Sequence, residues 1–427
     1  MAKGDPNSQE IFAGEEESSS QAPALNLAGS GMLSGAAFLM AVSSIGPGFL
    51  TQTTQFTAQL GASFAFAILI SIIIDIGAQL NTWRVICVSG KRGHEIADMV
   101  TPGLGWLLTA VIVFGSFIFN VGNISGCALG LRVLFGTDLY FGASISALLA
   151  IGLFLLPRAG SAMDWFSKML GALMILLTLY IAFKTRPPVG EVIGQSLSPD
   201  EPLKNLITPI ITIIGGTVGG YVMFSGAHRL LDGGVIGESN IKAISKASVM
   251  GILVTGVMRT VLFLAALGVV TSVGSGAIGK ETPVFDAFRA GAGSFGHRVS
   301  GLVFWSAAIT SVVGCSYTSI SFLFRSQQGS ASNRNRQLLT VAFIGLTLIV
   351  FLAIRVPPTP LLVAAGTLNG ALLPVALGVI LIASTRSKIV GQYRHPWWAK
   401  LFGMAAWLVA VFMAYRAVAE GIPKLLE

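Results

Sequence analysis

The sequence predicts an all-α integral membrane protein with eleven transmembrane helices, of which the first and the sixth are broken. Mean hydropathy is +0.76 and charged residues make up only 11% of the 427 residues, whereas soluble domains carry about 25%. Apolar stretches of about 20 residues, the length that spans a bilayer, recur along the chain. Two of them are interrupted by glycine or proline at the first helix of each five-helix half, which is typical of inverted-repeat membrane proteins.

Hydropathy divides the chain into a tail and eleven spans. Residues 1–31 are polar and acidic and predict a disordered cytoplasmic tail. Residues 32–184 form the first five-helix repeat, 185–385 the inverted second repeat, and 386–427 the eleventh helix and C-terminus. The predicted spans are 32–60, 62–86, 103–131, 139–157, 162–183, 205–231, 246–272, 298–324, 337–355, 359–384 and 397–418.

The charge distribution predicts orientation and excludes several classes of protein. With the N-terminus in the cytoplasm, sixteen Lys and Arg residues fall on the inner side and ten on the outer side, which favours this topology in the plasma membrane. The net charge of +8 therefore reflects loop asymmetry and does not predict nucleic-acid binding. The three cysteines, Cys87, Cys127 and Cys315, are far apart and predict neither a disulfide framework nor a zinc site.

The first break is the Gly46-Pro47-Gly48 triplet. Proline lacks a backbone N–H and glycine lacks a Cβ, so a continuous helix through this point is not expected. Irregular backbone at membrane depth is tolerated where it is buried in protein or lines a polar cavity. Polar side chains follow directly, with Thr51 and Gln52 just beyond Phe49. This arrangement predicts a substrate-binding site.

The second break lies in the sixth span, where four glycines occur in the six residues 215–220. We expect the unwound segments to be Gly46 to Gly48 and Gly219-Gly220, facing each other at mid-membrane, with half-helices starting near Phe49 and Val222. Further substrate contacts are predicted at Thr217, Tyr221 and Asn369. The alternative is that the glycines serve close helix packing and the polar groups bond neighbouring helices.

Asp75 lies mid-way along the second apolar span and Arg259 near the middle of the seventh. Charges at membrane depth are rare and mark functional sites. We expect them to form an ion pair or to share one polar network, and an unpaired Asp75 facing a cavity would be a proton carrier. Asn120 and Asn123, one helical turn apart, are predicted to line a polar path. H⁺ is therefore a possible coupling ion.

A family resemblance is carried by residues 46–49, 61–66 and 89–91, by the sixth span, and by residues 368–374. These stretches resemble the NRAMP family of divalent-metal transporters, and the resemblance covers roughly residues 32–420. It implies the LeuT-like fold of two inverted five-helix repeats, transport by alternating access, and a site where helices one and six break.

The motifs that hold metal in the resembled family are absent here. The family carries Asp-Pro-Gly-Asn at the first break, where this chain has Gly46-Pro47-Gly48-Phe49, and Met-Pro-His on the sixth helix, where it has Gly219-Gly220-Tyr221. An acidic pair of many members on helix three corresponds to Asn120 and Asn123. We therefore predict no metal ligands at these positions.

The sequence leaves two transport functions open. The first is secondary active transport of a small polar or anionic solute, because two positive half-helix ends would face a site without carboxylates. The second is transport of Mg²⁺ or Mn²⁺, with the ion held through its water molecules. Paired helix breaks fit alternating access better than they fit a channel or a sensor. The sequence shows no catalytic constellation at membrane depth, so an enzyme is not expected. We expect a monomer in the lipid bilayer without a cofactor.

Overall fold

A computed structural model describes residues 27–155, 157–324 and 331–426. All regular structure in these ranges is helical. The predicted disordered tail 1–31 lies outside the described residues up to position 26, and the first helix begins at Leu27. The helices are α1 Leu27–Ser44, α2 Pro47–Leu60, α3 Phe64–Ser89, α4 Gly93–Val100, α5 Leu104–Phe135, α6 Leu139–Leu155, α7 Pro157–Thr185, α8 Val189–Leu197, α9 Leu203–Thr217, α10 Val222–Asp232, α11 Ile241–Val273, α12 Pro283–Ser321, α13 Ala331–Ile354, α14 Pro358–Ala383, α15 Ser387–Val390 and α16 Trp397–Leu426.

Each of the eleven predicted spans coincides with one of these helices or with a broken pair. Eight described stretches are at least 18 residues long and apolar enough to cross a membrane, and a ninth counts if the bent pair Met169–Thr185 and Val189–Leu197 is one span. The number is below eleven because one stretch, Pro47–Ser89, contains both α2 and α3, and because α6 has only 17 residues.

The first break is shorter than predicted. Only Ile45 and Gly46 separate α1 from α2, and Gly46 is the N-cap of α2 in an extended conformation with φ −96°. Pro47 and Gly48 lie inside α2 and are not unwound, because a proline at the first helical position fits the helix without needing its missing N–H. Pro47 therefore starts α2, and the break consists of the two residues before it.

The second break comprises the four residues between α9 and α10, from Val218 to Tyr221. Gly220 adopts φ +56°, a left-handed conformation that glycine takes without a Cβ penalty. Gly219 and Gly220 therefore lie in the break, as predicted. Gly215 and Gly216 remain within α9.

The helical glycines of α9 permit very close packing against α14. A Cβ on Gly215 would collide with the backbone of Gly366, and one on Gly370 would collide with the carbonyl oxygen of Ile211. Gly215 and Gly370 therefore serve close packing of α9 against α14, since only a hydrogen atom fits between the two backbones. The contact fixes α14 beside the second break.

Candidate functional site

The two breaks lie side by side in the interior. The hydroxyl of Ser44, at the end of α1, donates a hydrogen bond of 2.9 Å to the carbonyl oxygen of Thr217, at the end of α9. The N-caps of α2 and α10, Gly46 and Tyr221, make no side-chain cap hydrogen bond. The first N–H groups of a helix lack partners within it and carry partial positive charge. The C-terminal ends of α1 and α9, with partial negative charge, therefore meet the N-terminal ends of α2 and α10, with partial positive charge.

Gln52 presents an acceptor oxygen to the second broken helix. Its side chain is fully buried, and its Nε2 donates to the carbonyl oxygen of Leu362 on α14 at 3.0 Å. This bond assigns the amide orientation, because an oxygen in that position would face another oxygen. The remaining Oε1 has no hydrogen-bond partner and lies 2.7 Å from the point where a Cβ on Gly216 would lie.

Asn369 presents a second acceptor on α14. Its Nδ2 donates to the carbonyl oxygens of Gly115 and Ala365, both at 2.9 Å. Both amide hydrogens are thus used within the protein. Its Oδ1 is buried without a partner, and it occupies the space where a Cβ on Gly220 would lie.

Two more buried oxygens face the first break. A Cβ on Gly46 would lie 2.8 Å from the hydroxyl oxygen of Ser311 on α12 and 3.8 Å from Oδ1 of Asn123. Neither oxygen has a hydrogen-bond partner. The Asn123 amide nitrogen is 3.5 Å from Oδ1 of Asn120. Asn123 thus reaches the break itself.

Asn120 belongs to a structural network next to this site. Its amide nitrogen donates to Ser316 on α12 at 3.1 Å and to Thr347 on α13 at 3.2 Å. These bonds connect α5 to two neighbouring helices. Asn120 therefore holds the helix that carries Asn123, and its own amide hydrogens are used by the protein.

Arg259 on α11 contacts both broken helices. One guanidinium nitrogen donates to the carbonyl oxygen of Ile213 in the last turns of α9 at 3.2 Å, and the guanidinium lies over the Phe49 ring in the first turn of α2. The side chain is 2% exposed, and its Nε and second terminal nitrogen have no partner. A buried cation with unused donors thus lies between the two breaks.

Asp75 shares a cavity with Arg259 but is not within salt-bridge distance of it. Among the described residues the one salt bridge within 4.0 Å joins Arg92 to Asp232. Asp75, Thr217 and Arg259 line a cavity of about 10 Å³, which is about the room that one water molecule needs. Because Asp75 and Arg259 face the same cavity, the two residues belong to one polar region.

The other predicted residues lie at the site with fewer specific contacts. Thr51 is buried in α2, and the Thr217 hydroxyl donates to the carbonyl oxygen of Ile213 in its own helix. The Tyr221 ring packs edge-to-face against Phe119 with centroids 5.8 Å apart. Pro47 and Gly48 are buried in the first turn of α2, where Gly48 contributes an N–H group.

The described residues offer no metal centre of protein ligands. They contain no group of three or more His, Cys, Asp or Glu residues placed to hold a metal ion. His228, on α10, accepts from the Gly93 N–H at 3.3 Å through Nε2 and lies 3.0 Å from the Ser321 hydroxyl through Nδ1. Both imidazole nitrogens are therefore used within the protein.

Comparison with known proteins identifies the family. The sequence model described as "Natural resistance-associated macrophage protein-like" matches residues 37–420, nearly the whole chain. The chain belongs to the NRAMP family. It is 48% identical over 394 residues to YcsG of Bacillus subtilis, described as an uncharacterized membrane protein, covering 92% of this chain and 96% of that protein.

Solved structures of low identity share the fold. An Eremococcus coleocola manganese transporter matches with a TM-score of 0.70 at 16% identity, covering 92% of this chain and 87% of the other. MhsT in complex with L-phenylalanine matches with a TM-score of 0.63 at 13% identity, covering 89% and 96%. The NRAMP protein described here is thus a multi-pass membrane transporter of the LeuT-like fold with helices one and six broken.

Sequence reasoning missed Ser311 and Gly216 as parts of this region. Ser311 lies in α12 among many other serines and threonines, so no local signal distinguishes it. The glycine pattern indicates Gly216 only as a helix breaker, whereas in the structure Gly216 leaves room for Gln52 within a continuous helix.

Proposed function

We propose that this NRAMP-family protein is a secondary active transporter for a small organic anion, in the plasma membrane with its N-terminus in the cytoplasm, and that H⁺ drives transport. The observation that carries the proposal is Arg259. A guanidinium buried between two helix breaks with two nitrogens unpartnered is costly unless an anion completes its hydrogen bonding. A bound carboxylate would accept from those nitrogens in the geometry that arginine favours.

The half-helix ends add to this preference. The N–H groups of Gly48 and Phe49 lie in the uncapped first turn of α2, next to the ring on which Arg259 stacks. A helix N-terminus attracts anions through these N–H groups and the helix dipole. Gly46 supplies no carboxylate to neutralise this end of α2. The charges present therefore support a solute with a negative group.

Asp75 supports H⁺ as the coupling ion. It is the one buried acidic side chain among the described residues. While Asp75 is ionised, its charge offsets that of Arg259, and a proton on Asp75 leaves the guanidinium uncompensated. Protonation of Asp75 and anion binding then favour each other by reciprocal linkage.

Divalent cation transport is the second candidate. The oxygens of Gln52, Asn123, Ser311 and Asn369 face the breaks without partners, and hard cations bind oxygen. A related structure is that of a manganese transporter. Against it, Arg259 would repel a dication in a medium that screens charge poorly, and all four of these oxygens belong to neutral side chains.

Uptake into proteoliposomes tests the two candidates. With the interior alkaline, we expect accumulation of small radiolabelled carboxylates, and Arg259→Gln should reduce it about ten-fold or more, the loss of one charge-assisted interaction. Arg289→Gln is the matched control, because Arg289 is exposed and distant from the breaks in sequence. Saturable Mn²⁺ uptake at micromolar concentration, without carboxylate uptake, would reject the anion in favour of the cation.

A further inference from the structure

The acceptor oxygens of Gln52 and Asn369 indicate what else the solute carries. Asn369 uses both amide hydrogens on carbonyl oxygens of α5 and α14, and the Gln52 amide nitrogen donates to a carbonyl oxygen of α14. In both side chains the amide oxygen remains available as an acceptor. Both oxygens are fully buried and without partner. A carboxylate cannot satisfy them, because it too only accepts hydrogen bonds at neutral pH.

We infer that the transported solute is a small acid that also carries N–H or O–H donors, and that Oε1 of Gln52 and Oδ1 of Asn369 accept from these donors. This inference rests on the proposed function. The solute class is therefore bipolar, such as an amino acid, a hydroxy acid or an acid with an amide N–H. A simple aliphatic carboxylate lacks half of the required groups.

The donors and acceptors of the site lie on different elements. The donors are Arg259 on α11 and the N–H groups at the start of α2. The acceptors approach the second broken helix at Gly216 and Gly220, where the absence of a Cβ leaves room for them. A solute held between the breaks would meet donors at its carboxylate and acceptors at its donor group. Such a solute would contact both broken helices at once.

The orientation of the acceptors is held rigidly. Gln52 is tied to the Leu362 carbonyl across 310 positions of sequence, and Asn369 to that of Gly115 across 254. Supporting hydrogen bonds of this kind fix a binding group in its working geometry. A site that is built to hydrogen-bond a substrate donor rejects an analogue that lacks it, because its own buried polar groups are left unpaired.

Matched ligands test this inference on the wild-type protein. Thermal stabilisation of the full-length protein in detergent would be titrated with propionate, glycolate and glycine, and with cyclopentanecarboxylate and proline. Within each set the shape is nearly constant and the donor changes. We expect the apparent Kd of at least one donor-bearing acid to be about ten-fold or more below that of its partner without a donor.

Variants assign the effect to the two amides. Gln52→Leu and Asn369→Ala should reduce the advantage of the donor-bearing acid to about two-fold or less, whereas Gln337→Leu, which removes the same amide from an exposed position of α13, should leave it intact. The ligand series on the wild type still decides the question if a variant does not fold. Equal Kd values within both sets would overturn the inference and leave the anion proposal standing. Stabilisation by Mn²⁺ or Mg²⁺ with none by any acid would overturn the proposed function itself.

Discussion

The guanidinium carbon of Arg259 lies 4.3 Å from the centre of the Phe49 ring. The two residues are 210 positions apart and bring a cation on α11 against the first turn of α2. Stacking of a desolvated guanidinium on an aromatic face is worth about 2 kcal/mol. The contact therefore holds the charge at the first break, at a position where the family motif has an amide in place of Phe49.

Removal of one charge from the Asp75–Arg259 region should be more harmful than removal of both. Arg259→Gln or Asp75→Asn alone leaves the other buried charge uncompensated, at a cost of about 3–5 kcal/mol for a tightly coupled pair and less here because the two do not form a salt bridge. We expect the double variant to recover part of the lost apparent Tm. Additive losses in the double variant would show that the two charges do not interact.

Glycines of the site should differ sharply from other helical glycines when replaced by alanine. Gly215→Ala places a Cβ against the backbone of Gly366 and should lower apparent stability by more than about 2 kcal/mol. Gly152→Ala, in α6, meets nothing within 4 Å and should be neutral or stabilise by up to about 1 kcal/mol. Equal unfolding midpoints for the two variants would contradict the close α9–α14 contact.

The architecture was predictable because hydropathy and helix breakers act locally. The second half of the sixth span, helix α10, begins at Val222 as expected, since glycines at 219 and 220 interrupt the span just before it. The extent of unwinding was not predictable. Gly215 lies in helix against the backbone of α14, and Gly216 lies in helix against the Gln52 side chain of α2. Contacts between segments about 150 residues apart leave no pattern in either one.

The chemistry of the candidate site was only partly predictable for the same reason. Gln52 and Asn369 are amides within apolar stretches, which predicts polar contacts for the solute. The positions of the two helix breaks placed these contacts near the site. Whether an amide offers a donor or an acceptor depends on its partner, here the carbonyl oxygens of Leu362 and Gly115. These partners are backbone atoms and carry no sequence signal.

In the proposed orientation the Arg92–Asp232 salt bridge lies at the cytoplasmic end, and we expect it to limit access from that side. Arg92, before α4, contacts Asp232 at the end of α10 at 2.5 Å, and the Tyr317 hydroxyl donates to Asp232 at 3.3 Å. Asp232→Asn should raise the rate at which an impermeant thiol reagent labels a cysteine placed at buried Ser225. Because the pair is partly exposed, the increase should be about two- to five-fold. Glu191→Gln, on α8, is the control, and an unchanged rate in Asp232→Asn would exclude a role in closure.

His395 should make the protein less stable in mild acid. Burial, with Arg84 and Lys400 nearby, lowers the pKa of His395 to about 4, whereas the unfolded chain has a pKa of about 6.5. Between these values the unfolded state binds more protons, so stability decreases as pH falls from about 6.5 towards 4. Apparent Tm measured from pH 7.5 to 5 should fall less in His395→Gln. The glutamine can still donate to Oδ1 of Asn81, which His395 Nε2 contacts at 2.8 Å. Parallel curves for the two proteins would contradict the pKa assignment.

Conversion of the site to metal binding should require a carboxylate at position 46. The wild-type protein should show no thermal stabilisation by micromolar Mn²⁺, because the unpartnered oxygens at the breaks belong to neutral side chains and Arg259 adds positive charge. Gly46→Asp introduces a carboxylate beside Oδ1 of Asn123, but its Cβ would lie 2.8 Å from the Ser311 hydroxyl.

Ser311→Ala removes that oxygen, so the double variant Gly46→Asp/Ser311→Ala is the one that can accept the new side chain. Its backbone position, with φ −96°, suits aspartate, which is also a favoured N-cap residue. We expect Mn²⁺ to raise its apparent Tm by mass action. Gly46→Asn/Ser311→Ala is the matched control, because it keeps the cap and the volume without the charge. Stabilisation of the aspartate variant alone would show that charge at position 46 limits metal binding, and equal responses of both variants would show that it does not.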